Sequence, residues 1–305
     1  MATPQLVHEE QAAPVERRRV NWFPYLLISP LILFIGVLSL YPTFLTLTQS
    51  FVLVDPLLGS RHFVGFLNYL QLFENPQVTG AWVNTALYVV IGVVISTVLG
   101  VVMALALAHP FRGRAAVMAV MILPWALPGV VEGVIWNWMY DPNVGVFNSL
   151  LVSLHIIHQY QTWIGLHQFM TVFLIEVVEI WQMTPLAAIL VLASLQTIPG
   201  ELYDASTVDG ASRWRGFFGI TLPLIRPGLA IAVAEMMIAS LNMFAKVYVL
   251  NGSASTGMSI MLQTYQISFQ NLNFGQGYAL SFLVTAITML LSLLILKGIY
   301  QKVEY

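Results

Sequence analysis

The sequence predicts an all-α integral membrane protein with six transmembrane helices. Three observations carry that prediction. Of 305 residues, 58% are hydrophobic and only 9% charged, with a mean hydropathy of +0.80, whereas a soluble domain carries roughly 25% charged residues. Six apolar stretches reach the length of about 20 residues that a helix needs to cross a bilayer. These stretches run continuously instead of alternating, and isolated strands would leave backbone groups unsatisfied in lipid. The net charge of −2 gives no sign of a nucleic-acid partner. The absence of cysteine excludes disulfides, Cys-ligated zinc and thiol catalysis.

Taken in order, residues 1–20 form a polar head, read as a disordered cytoplasmic N-terminus without a small-residue cleavage site. Residues 21–80 hold the first span, Tyr25–Phe51, and an outer loop. Residues 81–301 hold a five-helix core with spans Ala81–Ala108, Ala115–Tyr140, Phe169–Leu195, Leu224–Leu250 and Tyr278–Tyr300. If six spans alternate, Arg17, Arg18, Arg19, Arg112, Arg114, Arg213, Arg215, Arg226, Lys297 and Lys302 share one side. Only Arg61 falls opposite, and Lys246 falls within or at the end of span five. Cytoplasmic loops are enriched in Lys and Arg, so both termini and the loop before span five are expected in the cytoplasm. The outer loops are long. Phe63-Val64-Gly65-Phe66-Leu67-Asn68-Tyr69 is aromatic, and Asp141-Pro142-Asn143 with Gly145 signals a turn. They are either a cap that docks something outside or plain connectors.

The loop at 196–223 is the most polar run in the second half of the chain. Pro199-Gly200 ends span four. A short helix from about Glu201 to Val208 would carry acids in its first turn, complementing the helix dipole. Gly210 lets the chain turn sharply. A second helical piece follows from Ala211, and Pro223 ends it or starts the next span. On residues alone, such an amphipathic run either rests on lipid headgroups or serves a partner. The run D-A-S-x-x-x-G-x9-I-x-L-P, from Asp204 to Pro223, resembles the E-A-A-x-x-x-G-x9-I-x-L-P loop of binding-protein-dependent ABC permeases. The longer string E-L-Y-D-A-S-x-x-D-G-A-S-R-W resembles the sugar-importer branch, which includes the maltose and glycerol-phosphate permeases. Phe63-Val64-Gly65 with Asn68-Tyr69, Asn84-Thr85, and Trp136 through Leu151 are similar to other family segments. Asp204 stands where the family has Glu, and Ser206 where it has Ala.

The resemblance implies a type I ABC importer permease fold with a cytoplasmic coupling helix. Two permease subunits would pair, and two ATP-binding subunits would grip the coupling loops. A solute-binding protein outside would deliver a sugar, with a neutral di- or oligosaccharide preferred over glycerol-phosphate. Glu201, Asp204, Ala205, Asp209, Gly210, Arg213 and Pro223 would carry ATPase coupling. The chain would catalyse nothing and bind no cofactor or metal, since ATP and magnesium would sit on the partner subunits. No G-x-x-x-x-G-K-[ST] run is present. A stand-alone ion-coupled carrier is the alternative, with buried Glu as relays, although no matching internal repeats are found.

Charges within spans are costly and usually face a cavity or partner. Glu235, Asn242 and Lys246 at i, i+7 and i+11 would share one face of span five. Glu176 and Glu179 share a face of span four beside Gln182, and Glu132 and Trp136 sit at i, i+4 in span three. Together they are the candidate lining of a translocation cavity. Lys246 has a second reading, in which it snorkels to the outer interface.

Overall fold

A computed structural model describes residues 22–54 and 60–299. The expectations for the head, Arg17 to Arg19 and Lys302 lie outside the described residues. The chain divides into a first unit ending at Leu45 and a second unit from Thr46 onward. The described part of the first unit is helical, belonging to α1 (Phe23–Gln49) with a π-helical turn at Gly36–Leu40.

In the second unit a small antiparallel hairpin follows, β1 (Val52–Val54) with β2 (Arg61–Phe63), in which Leu53 faces His62. The sequence reading contained no strand, and this hairpin is the one departure from an all-helical chain among the described residues. Asn68 anchors it. Its buried side chain donates to the Ser50 carbonyl at 2.8 Å and to the Val52 carbonyl at 3.2 Å. Asn68 lies in the first turn of α2 (Leu67–Glu74), and α3 (Pro76–Ala108) is the longest helix described, capped by the Asn75 side chain on Gln77.

Span three is not one rod. Helix α4 (Arg114–Ala126) meets α5 (Gly129–Met139) at 96° across Leu127-Pro128. The expectation of a continuous span from Ala115 to Tyr140 is therefore corrected. Pro128 has no N–H and biases Leu127 away from helical geometry. Helix α6 (Val146–Ser153) leads through a loop to α7 (Gln168–Leu195), which stays helical past Pro185. Then come α8 (Gly200–Val208), α9 (Arg213–Leu224) and α10 (Arg226–Leu241), with a 71° bend between the last two. Span five also breaks at Asn242 to Phe244 before α11 (Ala245–Asn251). A single rod over Leu224–Leu250 is likewise corrected. Helix α12 (Ile260–Tyr265) and α13 (Phe274–Ile299) complete the described chain. Four helices are long and apolar enough to cross a membrane, and up to six spans result if each bent pair counts as one.

The core sits where α3, α7 and α10 meet. Near the ends at Ala108 of α3 and Leu195 of α7, Ala104 and Leu107 pack with Ala187, Val191, Ile225 and Met236. Toward the other end, Tyr88, Ile175, Val178, Val247 and Leu262 form a second cluster. Small residues let the backbones approach, as membrane helices require. A Cβ on Gly100 would stand 2.6 Å from that of Ala187.

Candidate functional site

The loop before span five folds into a short exposed helix. Helix α8 has no buried residue, and Val208 at its end is 88% exposed. Nine residues are too few for a stable isolated helix, so its ends must hold it. Glu201 lies in the first turn, where a negative charge suits the helix dipole. At the other end Gly210 adopts φ +73°. Its N–H donates to the Thr207 carbonyl at 3.1 Å, and the Ala211 N–H to the Ser206 carbonyl at 2.9 Å. That pair of bonds is a Schellman cap, which favours glycine at its left-handed position. Tyr203 fastens the helix to the body through its hydroxyl, 3.0 Å from Thr221 Oγ1. Asp204, Ala205, Asp209 and Arg213 are exposed, while Pro223 is half-buried inside α9. The helix bounds agree with the sequence reading to within a residue. The break, however, comes at Ile225, after Pro223.

The intramembrane charges divide into two sets. Lys246 is 5% exposed and is gripped by groups from two other elements. Its Nζ lies 3.1 Å from Glu132 Oε2 of α5 and also pairs with Glu179 Oε2 and Gln182 Oε1 of α7. Gln182 Nε2 in turn donates to the Leu127 carbonyl at 3.2 Å, at the bend of span three. Lys246 itself follows directly on the break of span five. One lysine and one glutamine thus tie both breaks to the intact helix α7. Trp136 stands beside this group, its ring 5.8 Å from that of Trp181. Snorkelling of Lys246 is excluded by these contacts.

Glu176 is fully buried one turn away, accepting from Ser240 Oγ at 3.2 Å, while its Oε2 has no hydrogen-bond partner. A Cβ on Gly92 would collide with it, so the glycine makes the space this carboxyl occupies. Glu235 and Asn242 are exposed instead, and Asn242 Nδ2 donates to the Ile238 carbonyl at 2.8 Å. The expected single face through Glu235, Asn242 and Lys246 does not form, because the helix is interrupted between Asn242 and Ala245. Glu132, Glu176, Glu179 and Lys246 are packed inside the chain, so an open cavity does not reach them in this conformation.

The loops flanking α6 and preceding α12 are fixed by buried amides that the sequence reading did not single out for this role. Asn148 donates to the carbonyls of Asp141 (3.3 Å) and Gln161 (3.0 Å) and accepts from Trp163 Nε1 at 2.8 Å. Asn84 donates to the Met258 carbonyl at 3.1 Å, and the Tyr88 hydroxyl to that of Gly257 at 2.7 Å. Asp141 accepts from the N–H groups of Asn143 and Val144 at 2.7 and 3.0 Å. These bonds hold its carboxyl below the ordinary aspartate value.

Residues 96–304 match the family described as "Binding-protein-dependent transport system inner membrane component". The trehalose/maltose transport system permease protein MalF of Thermococcus litoralis is 31% identical over 274 residues, covering 90% of this chain and 92% of its own length. The sulfoquinovosyl glycerol transport system permease protein SmoG of Agrobacterium fabrum is 30% identical, covering 86% and 87%. A solved bacterial ABC transporter involved in the import of the acidic polysaccharide alginate has the same fold, with a TM-score of 0.77 at 20% identity over 91% of this chain and 94% of its own. The chain is a permease, and it belongs to the family of binding-protein-dependent transport system inner membrane components.

Proposed function

We propose that this chain is one of two permease subunits of an ATP-driven importer for a sugar, preferably a neutral di- or oligosaccharide. A solute-binding protein outside the cell delivers the sugar. Two ATP-binding subunits inside grip α8 and its counterpart, and hydrolysis takes place on them with magnesium. This chain contributes the path and the mechanical handle. The observation that carries the reading is α8 itself: a capped helix with no buried residue, in the motif that the permease family uses, held to the body through Tyr203. Its exposed face, with Glu201, Leu202, Asp204, Ala205 and Val208, is accounted for by a partner that covers it. Relatives described as trehalose/maltose and sulfoquinovosyl glycerol permeases support the sugar assignment.

Glu201, Asp204, Ala205, Asp209 and Gly210 form the gripped surface, and Arg213 and Pro223, both in α9, brace it from behind. Glu235 and Asn242, exposed on and just after α10, are the residues available to a passing solute. Glu132, Trp136, Glu176, Glu179, Gln182 and Lys246 set the shape of the wall behind them. The formal balance of that wall, three carboxyls against one lysine, favours a neutral solute over an anionic one. Both termini lie in the cytoplasm by the Lys and Arg distribution.

The test is transport by the complete complex in vesicles, with ATP hydrolysis measured in the same sample. Gly210→Pro removes the N–H that caps α8 and forbids φ +73°. With Asp204→Arg it is expected to cut sugar-dependent uptake at least tenfold while ATP hydrolysis continues. Uptake tightly coupled to hydrolysis in both variants contradicts the role given to α8.

A further inference from the structure

An apolar groove of about 720 Å³ runs between α3 and α9. Thr97, Val101 and Leu105 of α3 form one wall, and Trp214 and Phe217 the other; Arg213 shares a neighbouring cavity with Leu105, Ala108 and His109, which places it at the Leu105 end. Thr97 to Ala108, where α3 ends, spans about 16 Å at 1.5 Å per residue. That is close to half of a hydrocarbon core of about 30 Å. The groove is therefore one leaflet deep, and it opens at the end of the chain that carries Arg112, Arg114, Arg213 and Arg215.

Its ends differ in chemistry. The deep end is apolar apart from the Thr97 hydroxyl, with Val98 and Val101 beside it. The shallow end offers Arg213, which is exposed and has no protein partner among the described residues, and Trp214, which is 74% exposed and stacks on Phe218 with ring centroids 6.2 Å apart. An amphipathic indole beside a free guanidinium is the pairing expected at headgroup level. Basic pockets between membrane helices on the cytoplasmic side take acidic lipid headgroups.

We propose that this groove is a binding site for one anionic phospholipid of the cytoplasmic leaflet, an acyl chain lying along Val101 and Leu105 and the phosphate facing Arg213. Charge complementarity selects this occupant over an apolar protein helix, which would leave Arg213 unpaired. The bound lipid would brace α9, the segment joining α8 to span five, so the composition of the inner leaflet would act on the coupling handle. The inference rests on the orientation proposed above.

Native mass spectrometry of the intact complex, equilibrated with phosphatidylglycerol or phosphatidylcholine, tests it. The wild type is expected to retain phosphatidylglycerol at least fivefold over phosphatidylcholine. Val101→Trp, which fills the groove, is expected to abolish retention of both. Arg213→Gln, a surface change that leaves the fold intact, is expected to erase the preference between the two. Equal retention of both lipids by the wild type overturns the proposal, as does unchanged preference in Arg213→Gln. A cross-link from Leu105→Cys to the second permease would show that protein fills the groove and would also overturn it. An error in the orientation itself would show separately, as labelling of Val208→Cys from outside intact cells.

Discussion

Lys246 is the residue on which most of the buried charge depends. With Lys246 removed, Glu132 and Glu179 would be left facing each other away from water, and breaking a buried pair costs about 3–5 kcal/mol. Lys246→Met is accordingly expected to lower the thermal stability of the purified complex sharply. Replacing both acids as well, with Glu132→Gln and Glu179→Gln, is expected to recover most of the loss. A single Lys246→Met variant as stable as the wild type contradicts the ion-pair network. Asp141 makes a second, pH-dependent prediction. Its folded value is depressed by the Asn143 and Val144 N–H groups, so its stabilisation is present above the ordinary aspartate value of about 3.9. It is lost as pH falls through the depressed folded value. Protease cleavage in the turn between α5 and α6 is expected to rise over that acidic range, and Asp141→Asn is expected to flatten the rise. Spacing placed Glu132, Glu179 and Lys246 on separate helices but gave no means of pairing them. That pairing needs the helices' directions, which hydropathy does not encode.

At the scale of the element, the two broken spans are the feature that hydropathy misses. A window of apolar residues reads the same whether the backbone runs straight or turns through 96°. Pro124 and Pro128 mark the first bend, and Pro227, at the start of α10, marks the second. The break after Asn242 carries neither proline nor glycine within Asn242 to Phe244, and the sequence holds no local signal for it. Half-helices α5 and α11 pack closely: a Cβ on Gly133 would lie 2.9 Å from that of Val249. Gln182 then supplies a partner to the carbonyl of Leu127 at the bend. Gln182→Leu leaves that carbonyl and Lys246 each short of one bond. It is expected to destabilise the complex by about 1–3 kcal/mol, read as a lower midpoint of thermal unfolding. No shift would mean that the bend is held by other contacts. By contrast, α8 was legible to within a residue, because Pro199, the early acid and Gly210 are all local signals.

For the whole molecule, composition and six apolar runs were sufficient for the class, and the loop motif for the family. The architecture required the three-dimensional arrangement. Helices α3, α7 and α10 form a compact packed core, the breaks are pinned to α7, and the amides of Asn84, Asn148 and Asn68 secure the connecting segments. On this frame α8 is the one helix of the coupling loop without a buried residue of its own besides the short first turn of α9. The account therefore turns on what touches it. Because the chain has no cysteine, a single Val208→Cys gives an unambiguous probe. In intact cells carrying the full transporter, this thiol is predicted to resist a membrane-impermeant reagent and to cross-link to the ATP-hydrolysing subunit. Labelling from outside, or no cross-link to that subunit in the assembled complex, would contradict the account.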